Sequence, residues 1–100
     1  MSRKGGAKMN TYFMFGKYSA EAIKGVSAER TKKANNIILK LGGKIIAQYA
    51  LLGDNDLVFI VNLPGVEEVV KASTGLHKLT DISFSSVPAI SIEKFDQIMA

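Results

Sequence analysis

The sequence predicts an α+β domain of βαββαβ order with an additional C-terminal helix, a four-stranded antiparallel sheet carrying both main helices on one face. Three observations carry this. Four short segments with strand-like apolar patterning fall at Asn10–Tyr18, Lys44–Leu52, Leu57–Leu63 and Lys78–Val87. Between the first and second, and again between the third and fourth, apolar residues recur at helical spacing. The second and third are separated only by Gly53-Asp54-Asn55-Asp56, which is turn chemistry and too short for a crossover. The order is that of a ferredoxin-like fold.

Each element has its own signal. Strand one gathers Tyr12, Phe13, Phe15 and Tyr18, side chains that favour a pleated backbone. Ser19 then offers an N-cap oxygen, with Glu21 in the first turn. Gly25 interrupts and Ser27 offers a second cap, so a short turn should precede a longer helix. The longer piece places Ala34, Ile37, Ile38 and Leu41 on one side and should end at Gly42-Gly43. Strand two alternates imperfectly, whereas strand three is an almost unbroken apolar run. Pro64-Gly65 opens a helix lined by Val66, Val69 and Val70, with its end expected at Gly75 and His77 in the loop beyond. Strand four alternates at Ile82 and Phe84. Ser91 caps a last helix bearing Ile92, Phe95 and Ile98.

An antiparallel sheet with one wet face should alternate apolar and polar residues. Strands one and three do not. Strict alternation sorts Tyr12, Met14, Gly16, Ile45, Ala47, Tyr49, Leu57, Phe59, Val61, Ile82 and Phe84 towards the helices. It leaves Phe13, Phe15, Lys17, Ile46, Gln48, Val58, Ile60, Asn62, Ser83 and Ser85 on the opposite face. Four strands of ordinary length present about 400 Å² in projection, near the limit for an open apolar patch on a monomer. The expectation is self-association through this face, with a small-molecule cavity lined by Phe13, Phe15, Lys17, Gln48 and Asn62.

Composition narrows the function classes. The 100-residue chain is 47% hydrophobic and 22% charged, ordinary for one globular domain. It has no cysteine, hence no disulfide framework or thiolate chemistry. No apolar run reaches the ~20 residues of a membrane span, and the N-terminus lacks the apolar stretch of a signal peptide; a cytoplasmic domain is expected. Arg3, Lys4 and Lys8 carry three of the four net positive charges. Residues 1–8 therefore read as a disordered basic leader and 9–100 as one near-neutral domain. Leu57–Val61 has one aromatic and no preceding basic residue and glycine, which argues against base stacking on the sheet.

Thr11-Tyr12, Gly16-Lys17-Tyr18-Ser19, Leu41-Gly42-Gly43-Lys44, Leu52-Gly53 and Asp56-Leu57-Val58 leading to Pro64 together resemble the GYD-domain family. The resemblance covers Met9 to Ile90. It implies a ferredoxin-like fold assembled as in the dimeric α/β-barrel group, and no defined activity. Gly53 and Asp56 fit the namesake motif, while Asn55 stands where the pattern has tyrosine.

Other candidates have plainer readings. His77 is the only histidine, so an all-histidine metal site within one chain is excluded; no metal or cofactor is expected. Gly53 and Asp56 read as turn residues, glycine for positive φ and aspartate for free backbone amides. No nucleophile–base–acid set is visible. The leading expectation is a non-enzymatic small-molecule-binding or assembly module, the alternative a cofactor-free enzyme resembling the small monooxygenases or isomerases of the barrel group.

Overall fold

Eight elements follow in the expected order: β1 (Asn10–Tyr18), α1 (Ala20–Lys24), α2 (Ala28–Lys40), β2 (Lys44–Ala50), β3 (Leu57–Leu63), α3 (Val66–Thr80), β4 (Ile82–Ala89) and α4 (Ile92–Met99). The structure, a computed structural model, describes residues 9–100. The expected leader at 1–8 lies outside the described residues. The strands form one antiparallel sheet in the order β2-β3-β1-β4, the split βαβ topology. Ala22 of α1, Ala34 and Ile38 of α2, and Val69, Ala72 and Leu76 of α3 share one buried cluster with Tyr12, Met14, Leu57, Phe59, Val61, Leu63 and Ile82. Helices α1 to α3 thus cover one face of the sheet.

Local chemistry sets the helix limits. The Ser19 hydroxyl accepts from Ala22 N at 2.9 Å and that of Ser27 from Arg30 N at 3.0 Å, so α1 and α2 start at separate serine caps. α2 ends with Gly42 N donating to Leu39 O and Gly43 N to Ile38 O, the paired bonds of a Schellman stop. The two glycines serve different needs. Gly42 has φ 83°, which favours glycine, whereas a Cβ on Gly43 would sit 2.6 Å from Leu63 Cδ2 and 2.7 Å from Asn62 O.

Two expectations are corrected in α3. Gly75 does not end the helix, which continues to Thr80. Gly75 lies where α3 passes α2, with the Ile37 side chain 3.4 Å from its would-be Cβ. The stop comes at Asp81, the one described non-glycine residue with positive φ (61°). Its carboxylate accepts from the Ser19 hydroxyl at 2.6 Å, tying the end of α3 to the start of α1. His77 is accordingly a last-turn helix residue. Its Nδ1 lies 3.0 Å from Ile82 O, a contact that requires Nδ1 to donate. Val66 and Val70 are exposed, and Val69, Ala72, Leu76 and Thr80 form the buried stripe.

A third correction concerns β2. Ile45 pairs with Val61, but Ala47 pairs with Ile60, leaving Ile46 as an extra residue in a β-bulge. One inserted residue inverts the facing of everything after it. Ala47 and Tyr49 therefore join the open face, and Gln48 turns towards the helices. There Gln48 Nε2 donates to Asn35 Oδ1 of α2 at 2.6 Å.

Candidate functional site: the open face of the sheet

Cross-strand partners point to the same side of a sheet, so the pairing registers fix the composition of the uncovered face. One row across the four strands reads Ala47, Ile60, Phe13 and Val87. The next reads Tyr49, Val58, Phe15 and Ser85. These rows make an apolar band, with the Phe13 and Phe15 ring centroids 6.3 Å apart. Within the band Val58 is 5% exposed and Tyr49 60%. Beyond the band at one end lie Lys44, Asn62, Thr11 and Ala89, with Thr11 Oγ1 donating to Asn62 Oδ1 at 2.8 Å. At the other end lie Lys17 and Ser83.

The structure brings some predicted site residues together and separates others. Phe13 and Phe15 sit at the centre of the band. Lys17 and Asn62 occupy opposite polar ends, about 20 Å apart at strand rise. Gln48 is on the other side of the sheet, bonded to α2. Tyr49 takes a place in the band that strict alternation did not give it. The signal for this was the Ile45-Ile46 pair followed by Gln48, where the period-two pattern of β2 breaks.

Gly53 and Asp56 lie in the β2–β3 connection, at the edge of this site. Gly53 has φ 134° and open space around its would-be Cβ. Asp56 N donates to Gly16 O and Leu51 N donates to Asp56 O, both at 2.8 Å. The Asp56 carboxylate accepts from Tyr18 N at 2.8 Å. The β1–β3 register ends at Gly16–Leu57, so this side chain takes up an amide two residues past the ladder. Asn55 is partly exposed. Gly53→Val should therefore destabilise the chain by about 1–3 kcal/mol through backbone strain alone. Asp56→Ala should cost about 1–2 kcal/mol by leaving Tyr18 N unpaired. Denaturant titration checks both; parental stability with altered ligand retention would make the connection a binding loop.

Elsewhere on the helix side, a cleft between α2 and the sheet is lined by Tyr18, Arg30, Thr31, Leu57, Phe59 and Phe84 among others. Arg30 donates to Ala22 O at 2.6 Å and lies 5.9 Å from the centre of the Tyr18 ring. Composition and spacing did not single out this arginine. A second, more open groove runs between α3 and β4, with a volume of about 320 Å³. Among the described residues, no three histidine, aspartate or glutamate side chains gather as metal ligands. No described helix is long and apolar enough to cross a membrane.

A family model described as GYD domain matches residues 12–99. The match extends past the stretch whose motifs suggested it and takes in α4. Among solved structures, the chain is similar to an AsnC family transcriptional regulator from Agrobacterium tumefaciens, at 17% identity and TM-score 0.57. That match covers 85% of this chain and 52% of the other. It is also similar to the Mycobacterium tuberculosis leucine response regulatory protein, at 9% identity and TM-score 0.55, covering 91% and 59% respectively. The chain thus spans between half and three-fifths of these structures, and at such identities the likeness is one of fold. Comparison with curated proteins finds no match.

Proposed function

The chain belongs to the GYD-domain family, and we propose that it is a non-enzymatic assembly module whose open sheet face is covered by a second copy. The observation that carries the reading is the two-row band of Ala47, Ile60, Phe13 and Val87 and of Tyr49, Val58, Phe15 and Ser85, apolar but for the edge serine, between polar ends. An apolar centre with a polar margin is the anatomy of a protein interface. The β2 bulge supports it: without the extra residue, Gln48 would face the band and Tyr49 the helices. Aromatic residues are favoured at the centre of interfaces and unpaired amides are costly there.

Small-molecule binding is the second part of the proposal, and its support lies in the cleft beside α2. There Arg30 and Tyr18 line the cleft together with the apolar Leu57, Phe59 and Phe84. This suits a small apolar molecule carrying a hydrogen-bond acceptor. A native mass spectrum tests both parts. The expected spectrum shows twice the chain mass, with any retained ligand as a discrete mass increment that Arg30→Met removes. A spectrum at single-chain mass alone would contradict the assembly reading.

A further inference from the structure

Helix α4 is well formed yet adds no residue to the buried cluster. Ser91 Oγ accepts from Lys94 N at 3.0 Å and Phe95 N donates to Ser91 O at 2.9 Å, so the helix starts at a serine cap. None of its residues is buried. Ile92, Phe95, Ile98 and Met99 are 73%, 48%, 61% and 68% exposed, and their spacing places them along one side. Glu93, Lys94, Asp96 and Gln97 fill the rest. An eight-residue helix is marginal in water unless its apolar side is covered. The family match runs through α4, so the helix lies within the matched domain.

The α3–β4 groove has the complementary character. Val66, Val69, Val70 and Ser73 of α3 and Phe84 and Ser86 of β4 line it. Val66 and Val70 are 70% and 58% exposed. The Ser86 hydroxyl is buried with no hydrogen-bond partner, which is uncommon enough to need a reason. β4 is an edge strand, so an occupant of this groove would also cover a sheet edge.

We propose that α4 of each copy docks its Ile92–Phe95–Ile98 stripe into the α3–β4 groove of a second copy. The inference rests on the assembly reading and adds a reciprocal arm to it. Area argues for a second copy as the occupant. The sheet face offers about 400 Å² in projection, whereas a stable interface buries about 800 Å² on each partner. Two exchanged helices supply much of the difference. Position argues the same way. Ala89 lies in a row of the open face, opposite Thr11, and only Ile90 and Ser91 separate β4 from α4. The arm thus leaves from the margin of the face that the second copy covers. In a two-fold assembly both arms then meet equivalent grooves.

The chain has no cysteine, so engineered pairs report without interference. The full-length double variant Val70→Cys, Phe95→Cys, oxidised and run on a non-reducing gel, should give covalent dimers. An intrachain bridge, seen as a monomer with no free thiol, would show α4 folding into its own groove and overturn the proposal. Absence of any bridge would overturn it also. Truncation after Ser91 should weaken association by about tenfold or more while the fold persists, because α4 contributes nothing to the buried cluster. Unchanged association of the truncated chain would sink the arm and leave the sheet-face reading standing. A monomeric parent would sink both.

Discussion

Gly43→Ala is expected to destabilise the fold by about 3 kcal/mol, the upper part of the range for overpacking. The added methyl would meet Leu63 Cδ2 at 2.6 Å, Asn62 O at 2.7 Å and Ile38 Cγ2 at 3.0 Å. The leucine can turn away, but Asn62 O belongs to the backbone of β3, an interior strand paired on both sides. Moving it disturbs the Lys44–Asn62 pairing at the start of β2 and the Thr11–Asn62 bond on the open face. A drop of about 12–24 °C in Tm should follow for a domain of this size. Gly16→Ala is the comparison. The atoms its methyl would meet first are side-chain atoms of Ile82, Leu57 and Phe84, each at 3.0 Å, so it should cost less. Equal melting of Gly43→Ala and the parent would mean that the backbone at Gly43 does not lie this close to β3.

Phe15→Asp is expected to break the assembly while leaving the chain folded. Phe15 pairs with Val58 and Ser85 in the middle of the band and contributes nothing to the buried cluster under the helices. In a two-fold interface the substitution places two carboxylates in a desolvated, apolar setting. Each costs several kcal/mol there, enough to weaken association by about a hundredfold or more. Lys17→Asp, at the polar end of the same strand, should change association far less. Equal effects of the two variants would remove the distinction between band and margin.

Much of the fold was legible because successive residues carry one consistent message. Ser19 and Ser27 mark two helix starts, Gly42-Gly43 a stop, and the almost unbroken apolar run Leu57–Leu63 a strand. The errors share a cause: a local signal was overruled by packing. Gly75 read as a helix stop, yet an interior glycine also lets two helices approach, and Ile37 uses that space. Asp81 gave no sign of ending α3, because positive φ at aspartate is sustained here by the hydrogen bond from Ser19, distant in sequence.

The candidate site was legible only as far as β2 keeps a period of two. Ile46 breaks that period, and a single-residue bulge leaves no composition signal stronger than two adjacent isoleucines. Phe13 and Phe15 were therefore placed on the correct face and Gln48 and Tyr49 on the wrong ones. Arg30 was missed because its role beside Tyr18 depends on how α2 lies across the sheet, which its helical spacing alone does not encode.

Sedimentation equilibrium of the full-length chain tests the central claim most directly. The parent should show the mass of two copies, or a multiple of it, over concentrations from about 1 to 100 μM, and Phe15→Asp should show the mass of one with an unchanged circular dichroism spectrum. A parent chain that sediments at single-copy mass throughout that range would contradict the account.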